Sequence, residues 1–169
     1  MLRSHWSTIA LLLTVLPLAP ARAQEGAASE RRAVLAAVDT MLDAMARHDV
    51  PTSRRLLVAG ATLHSVVVGA PTATPQTQSD VSYLRMLATD TSALRERIWS
   101  PTTLIAGDVA QVWAEYDFHV NRAFSHCGVD SFTLLRSAAG WQITSISYTV
   151  IRQGCAPSPL GPLGSAPAP

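Results

Sequence analysis

The apolar positions of this chain change their period about midway. Val34, Leu35, Val38, Met41, Leu42 and Met45 recur at helical spacing, with Arg31, Asp39, Asp43 and Arg47 on the opposite face. That pattern predicts an amphipathic helix capped by Ser29 and ending near His48-Asp49, one side on a sheet and the other in water. Pro51 suits the first turn of a short second helix through Leu57, which Gly60 ends. "ATLHSVVV" then predicts a strand, Gly69 to Thr77 a loop, and Ser79 the cap of a third helix bearing Tyr83, Leu84 and Leu87. After Asp90 the pattern becomes that of long strands, over residues 93–105, 109–120, 127–136 and 141–152, with turn residues at Ala106-Gly107-Asp108 and from Ser137 to Gly140. Helices first and a meander of four antiparallel strands afterwards predict an α+β layer fold.

The two ends fall outside that pattern. Residues 1–23 read as a secretory leader: Arg3 and His5 give a basic start, Ile9 to Leu18 an apolar run too short to span a bilayer, and Ala21-Arg22-Ala23 a cleavage site, so the mature chain starts at Gln24. No cysteine follows that site to carry a lipid anchor. At the other end, residues 156–169 are rich in proline, alanine and glycine without charge or periodicity, which predicts a disordered tail. Between them residues 24–155 suit one domain with one core. Every basic residue is arginine. Removing Arg3 and Arg22 from the 13 leaves 11 against 12 acidic residues, so nothing favours nucleic acid, whose binders carry a basic stripe. With the arginine and alanine bias of a GC-rich bacterial genome, the expected destination is the periplasm or the exterior, with no membrane attachment after cleavage.

At this point the chain resembles a known superfamily. The long first helix, an early strand, a mid-chain helix and four long strands ending in a "GWQI…YT" hairpin are similar to nuclear transport factor 2-like proteins, and the secreted bacterial SnoaL-like or lumazine-binding-like members are the nearest in character. "AEYDF", "HCGVDSF", "LLR" and "GWQI" carry the resemblance, over about residues 30–152. It implies a cone-shaped fold in which N-terminal helices pack on a strongly curved, mostly antiparallel sheet around a pocket at the open end. The superfamily includes isomerases, dehydratases, hydrolases and proteins without known catalysis, so the resemblance leaves function open. It also implies a homodimer through the convex face of the sheet, where Trp113 stands among polar residues.

Asp130 is the residue that asks for chemistry, because the alternation that buries Phe132 and Leu134 turns it inward too. The Ser137-Gly140 loop pairs Arg136 with Trp141 and Leu134 with Ile143, and a β-bulge near Thr144-Ser145 then brings Phe132 to Ile146 and Asp130 to Tyr148. A turn through Asn121 to Ser125 pairs Ala114 with Phe132 and Tyr116 with Asp130. The expected pocket is therefore lined by Tyr116, Phe118, Asp130, Phe132 and Tyr148, with Trp99 as a further ligand contact. Two readings stay open for Asp130. It is a desolvated general base or ligand anchor, with Tyr116 or Tyr148 as hydrogen-bond donor, or a structural carboxylate that fixes the tyrosines.

His64, beside Val66 and Val68, is a second candidate base if it reaches the same pocket. Arg95 and Arg97 are candidates for the pocket mouth or for a solvated edge. Glu115, Asp117 and His119 alternate on the outer face with Trp113, but one strand converges poorly on an ion and no metal is expected. No cofactor is expected either. Cys127 and Cys155, the two cysteines of the chain, are expected to form a disulfide if Gly154 lets the chain fold back. Adjacent strand residues point to opposite faces, which argues against a His126-Cys127 nucleophilic pair. The expectation is an exported domain that binds a small, partly apolar molecule. The alternatives are an isomerase, dehydratase or hydrolase using Asp130 or His64, and a structural domain with a filled cone.

Overall fold

The structure, a computed structural model, describes residues 21–69 and 74–163. Most of the expected leader, part of the expected loop after Gly69 and the end of the tail lie outside the described residues. Three helices, α1 (Ala21–Ala46), α2 (Val50–Leu56) and α3 (Asp80–Thr89), accompany six strands: β1 (Leu57–Val67), β2 (Gln76–Ser79), β3 (Leu94–Ala106), β4 (Val109–Val120), β5 (Ala123–Ser137) and β6 (Gly140–Val150). The strands form one sheet in the order β2-β1-β6-β5-β4-β3, antiparallel throughout except where β1 runs parallel to β6. The architecture is α+β, a mostly antiparallel sheet with helices packed on it.

The local chemistry of each element is visible. α1 is already helical at Ala21, well before the expected cap at Ser29. Asp49 caps α2 by accepting from the Thr52 amide at 3.0 Å, with Pro51 in the first turn where its missing N–H costs nothing. Ser79 caps α3 by accepting from Ser82. Gly60 does not end α2, as its position suggested. It lies inside β1 at φ 84, where the register against β6 shifts between Leu57 and Thr62. β2 occupies part of the expected loop. Its sequence, QTQS, has no apolar residue, so a polar edge strand left no alternation to read.

Val34, Val38, Met41 and Met45 of α1 and Tyr83, Leu84 and Leu87 of α3 pack against Val112, Phe132, Leu134, Trp141, Ile143 and Ile146 of the sheet. Bulges interrupt the β3–β4, β4–β5 and β5–β6 ladders, and such extra residues bend and twist strands. The one in β5–β6 is at Thr144, with Leu134 opposite Ile143 and Thr133 opposite Ser145.

The β4–β5 hairpin differs from expectation. Asn121 and Arg122, both at positive φ, make a two-residue turn in place of the longer loop, and a bulge follows beside Phe118 and His119. Asp130 therefore lies opposite Ala114, Phe132 opposite Val112 and Tyr116 opposite Gly128. The displacement is two residues, so every side chain keeps its expected face.

Cys127 and Cys155 are joined, with S–S 2.11 Å and Cα–Cα 6.1 Å, and Gly154 at φ 80 supplies the fold-back. The start of the tail is not loose. Arg97 donates to the Gly161 carbonyl at 2.9 Å, and Asp117 and His119, although on the outer face of β4, are only 3% and 7% exposed. A disulfide anchor and one guanidinium order residues that composition alone marks as free.

Candidate functional site

Between α1, α3 and the concave face of the sheet lies a cavity of about 530 Å³. Met41, Leu42 and Met45 line it from α1 and Tyr83 and Met86 from α3. Phe118, Phe132, Ile146 and Val150 are among the apolar residues that the sheet contributes. Val67, Gln76 and Arg152, which also line it, are exposed. This volume suits a small organic molecule, and the wall is mostly apolar.

The polar part of the wall comes from period-two alternation. On β3, Leu94 and Glu96 line the cavity while Arg95 and Arg97 do not. On β4 Tyr116 and Phe118 line it, on β5 His126, Asp130 and Phe132, and on β6 Ile146, Tyr148 and Val150. Asp130 is 2% exposed and lies directly across the ladder from Tyr148. β4 runs between β3 and β5, with Glu96 opposite its Phe118 and Asp130 opposite its Ala114. Glu96 reaches across, and the two carboxyls share a hydrogen bond.

The electrostatics follow from burial, with no ion pair to either carboxyl among the described residues. Burial, then the neighbouring carboxyl, push Asp130 well above its ordinary value. Burial raises Glu96 to about 7, opposed in part by its hydrogen bond to Asp130, with the smallest push, upward, from Asp117 behind the sheet. The pair therefore holds a proton at neutral pH. One carboxylate oxygen of Asp130, Oδ2, is buried with no hydrogen-bond partner. Burial also raises the Tyr83, Tyr116 and Tyr148 phenols and, with the charge of Arg152, lowers His126, leaving it neutral at pH 7.

The tyrosines do not hold Asp130 as expected. The Tyr116 hydroxyl donates to the Thr149 carbonyl at 2.8 Å, and its ring stands edge-on to those of Tyr148 and His126. Its path crosses Gly128, where an added Cβ would sit 2.0 Å from that same carbonyl oxygen. The residue bonded to Asp130 is Glu96, which the sequence reading passed over. Leu94, Glu96 and Ile98 do alternate inward, but a bulge at Ser100-Pro101 reverses the parity of β3 midway, so no single register could be drawn through it.

Four candidates lie elsewhere. His64 is on the opposite face of β1 from Leu63 and Ser65, bracketed by the Thr62 and Thr77 hydroxyls at 2.9 and 3.1 Å, and does not line the cavity. Trp99 faces outward and donates to Glu115 at 2.9 Å. Arg97 forms a two-pronged ion pair with Asp117 on the convex side, while Arg95 pairs with Asp43 of α1 at 3.4 Å. Among the described residues no group of three or more His, Cys, Asp or Glu is placed to hold a metal ion.

No protein-family model matches the chain, and no curated protein matches it in sequence. Solved structures do match in fold. A nuclear transport factor 2-like protein from Cytophaga hutchinsonii aligns at TM-score 0.59 and 16% identity over 72% of this chain and 98% of its own. One with a cystatin-like fold from Novosphingobium aromaticivorans aligns at 0.61 and 12% over 79% and 90%. A third, from Streptomyces avermitilis and described as a candidate dehydratase of the nuclear transport factor 2-like family, aligns at 0.60 and 18% over 73% and 97%. The chain has the nuclear transport factor 2-like fold.

Proposed function

We propose that this protein binds a small, largely apolar molecule in the cavity between the helices and the concave face of the sheet. The observation that carries the reading is the cavity itself, about 530 Å³ of mostly apolar wall with the Glu96–Asp130 pair set into it. A well-packed core leaves few voids larger than a water molecule, and a purely structural carboxyl pair needs no such space beside it. The test is titration of the mature protein with the neutral fluorescent probe N-phenyl-1-naphthylamine. Saturable binding at one site, weakened about tenfold or more by Ser65→Trp in the cavity wall, is expected; binding that this space-filling change leaves untouched would place the dye elsewhere and sink the reading.

A second reading is proton transfer on the bound molecule. Two coupled carboxyls with raised values offer an acid and a base at one place near neutral pH, and one fold relative is described as a candidate dehydratase. Catalysis would show as consumption of a ligand that Asp130→Asn abolishes while probe binding persists.

We further infer that the chain is exported, with cleavage after Ala23. The Cys127–Cys155 disulfide is of a kind that oxidising compartments preserve, and no helix of the described residues is long and apolar enough to cross a membrane. Mass spectrometry of the protein recovered from the periplasm or medium tests the cleavage. Trp113, exposed on the convex face, supports the proposal of a homodimer there, which Trp113→Ser should weaken in sedimentation.

A further inference from the structure

We propose that the cavity selects an organic cation: a largely apolar molecule whose protonated amine donates to the Glu96–Asp130 pair. This deepens the binding reading above and rests on it.

The inference comes from counting donors and acceptors. When the pair is anionic one proton serves two carboxyls, so acceptor oxygen is left over, and among the described residues none other than Glu96 is placed to donate to the buried Asp130 Oδ2. A ligand carbonyl would set acceptor against acceptor. An alcohol would bring one donor but leave the negative charge of the pair uncompensated. An ammonium brings several donors and the missing charge together, which is worth most where water is excluded. The rings of Tyr83, Tyr116, Phe118, Phe132 and Tyr148 line the same space, and aromatic faces attract cations.

Among the described residues no arginine or histidine forms an ion pair with Glu96 or Asp130. On the concave side the ionisable neighbours are Tyr83 of α3, Tyr116 of β4, His126 of β5 and Tyr148 of β6, with Asp90 after α3; of α1, Met41, Leu42 and Met45 line the cavity, and Asp43 between them is exposed and paired with Arg95. Asp117, behind the sheet, is already paired with Arg97. Arg152 is exposed, and its charge acts on Tyr116 and His126 rather than on either carboxyl.

The experiment is calorimetric titration with three matched probes, 4-phenylbutylamine, 4-phenylbutanol and 4-phenylbutyrate, at about pH 8 and about pH 6, on either side of the value of about 7 for Glu96. Above it the pair is anionic, and below it the pair becomes neutral. The amine should bind about tenfold or more tighter than the alcohol at the higher pH, and lose about tenfold at the lower one as the competent anionic fraction falls. The butyrate should not bind measurably. The double change Glu96→Gln with Asp130→Asn should remove the preference for the amine while leaving the affinity for the alcohol in place, and Glu96→Gln alone, which leaves Asp130 raised by burial, should shift the pH dependence. Equal or tighter binding of the alcohol, or an amine preference that survives removal of both carboxyls in Glu96→Gln with Asp130→Asn, overturns the proposal. If the neutral naphthylamine probe binds and none of the three does, the cation preference is wrong and the binding cavity stands. If the probe fails as well, both fall.

Discussion

Replacing Glu96 with glutamine tests whether a carboxyl is buried beside Asp130 at a cost to the fold. The folded protein raises Glu96 from its ordinary 4.5 to about 7, mainly by burial. A raised acid makes its full contribution to stability below the unfolded value, and that contribution is lost as pH climbs through the folded one. At about 1.4 kcal/mol per pH unit, the rise corresponds to about 3 kcal/mol in all, of which about 2 to 3 kcal/mol falls between about pH 5 and about pH 8. Glutamine keeps the shape and does not titrate. The free-energy difference between Glu96→Gln and the parent, from urea unfolding with the disulfide intact, should therefore move in favour of the variant by about 2 to 3 kcal/mol over that range. Asp130→Asn should move the same way, since its carboxyl is raised too. A difference that stays constant with pH to within about 0.5 kcal/mol would refute the buried pair, because a solvated Glu96 has no reason to depart from its ordinary value.

Three other outcomes follow from single contacts. Gly128→Ala drives a Cβ against the Thr149 carbonyl at 2.0 Å, so urea unfolding should show a loss of about 3 kcal/mol or more, with the near-ultraviolet signal of Tyr116 altered. Cys155→Ser opens a closure of 28 residues, which should cost about 3 to 4 kcal/mol and expose the segment after Gln153 to proteolysis; an unchanged unfolding midpoint would contradict it. His48 has both ring nitrogens within hydrogen-bond distance of carbonyls, of Ser92 and Leu87, which raise its value and favour the imidazolium. The parent should thus lose a contribution of up to about 1 kcal/mol as pH rises through that raised value, and His48→Gln should lack this loss.

Elements whose chemistry is local were legible before the structure. The cap Ser79, the four long strands and the bulge at Thr144 follow from a capping oxygen, turn residues and the need to keep Ile143 and Ile146 on one face. Where two local rules competed, the reading slipped. Asn121-Arg122 looked like part of a longer loop because neither residue is a glycine, yet both adopt positive φ, and the compensating bulge cannot be seen from composition. The pocket wall was legible through Asp130, Phe132 and Tyr148, where apolar neighbours set the face. Glu96 was hidden because a strand of mixed charges, "LRERIW", has no apolar run to declare which face is inside, and the Ser100 bulge cancels the hint from residues further on. His64 went astray for the opposite reason: Val66 and Val68 suggested a buried face, but Val68 is exposed and the cavity-facing row is Leu63, Ser65 and Val67.

The same stretch of β3 says why the inward carboxyls need a ligand-based account. Glu96 sits between two arginines, and a fold that required only a neutral core had guanidinium groups within one residue. Period-two alternation sends both arginines away, one to Asp117 under the tail and the other to Asp43 on α1. The outer carboxylate is fully compensated, as buried charges must be. The inner pair is compensated only by its own shared proton and keeps a buried oxygen without a donor. A cost of this kind on one face, beside its remedy on the other, fits a site whose missing donor arrives from solution. The loss of the amine preference when both carboxyls are removed, in Glu96→Gln with Asp130→Asn, set against retained affinity for the alcohol, separates that account from one in which the pair merely survives as an uncorrected defect of packing.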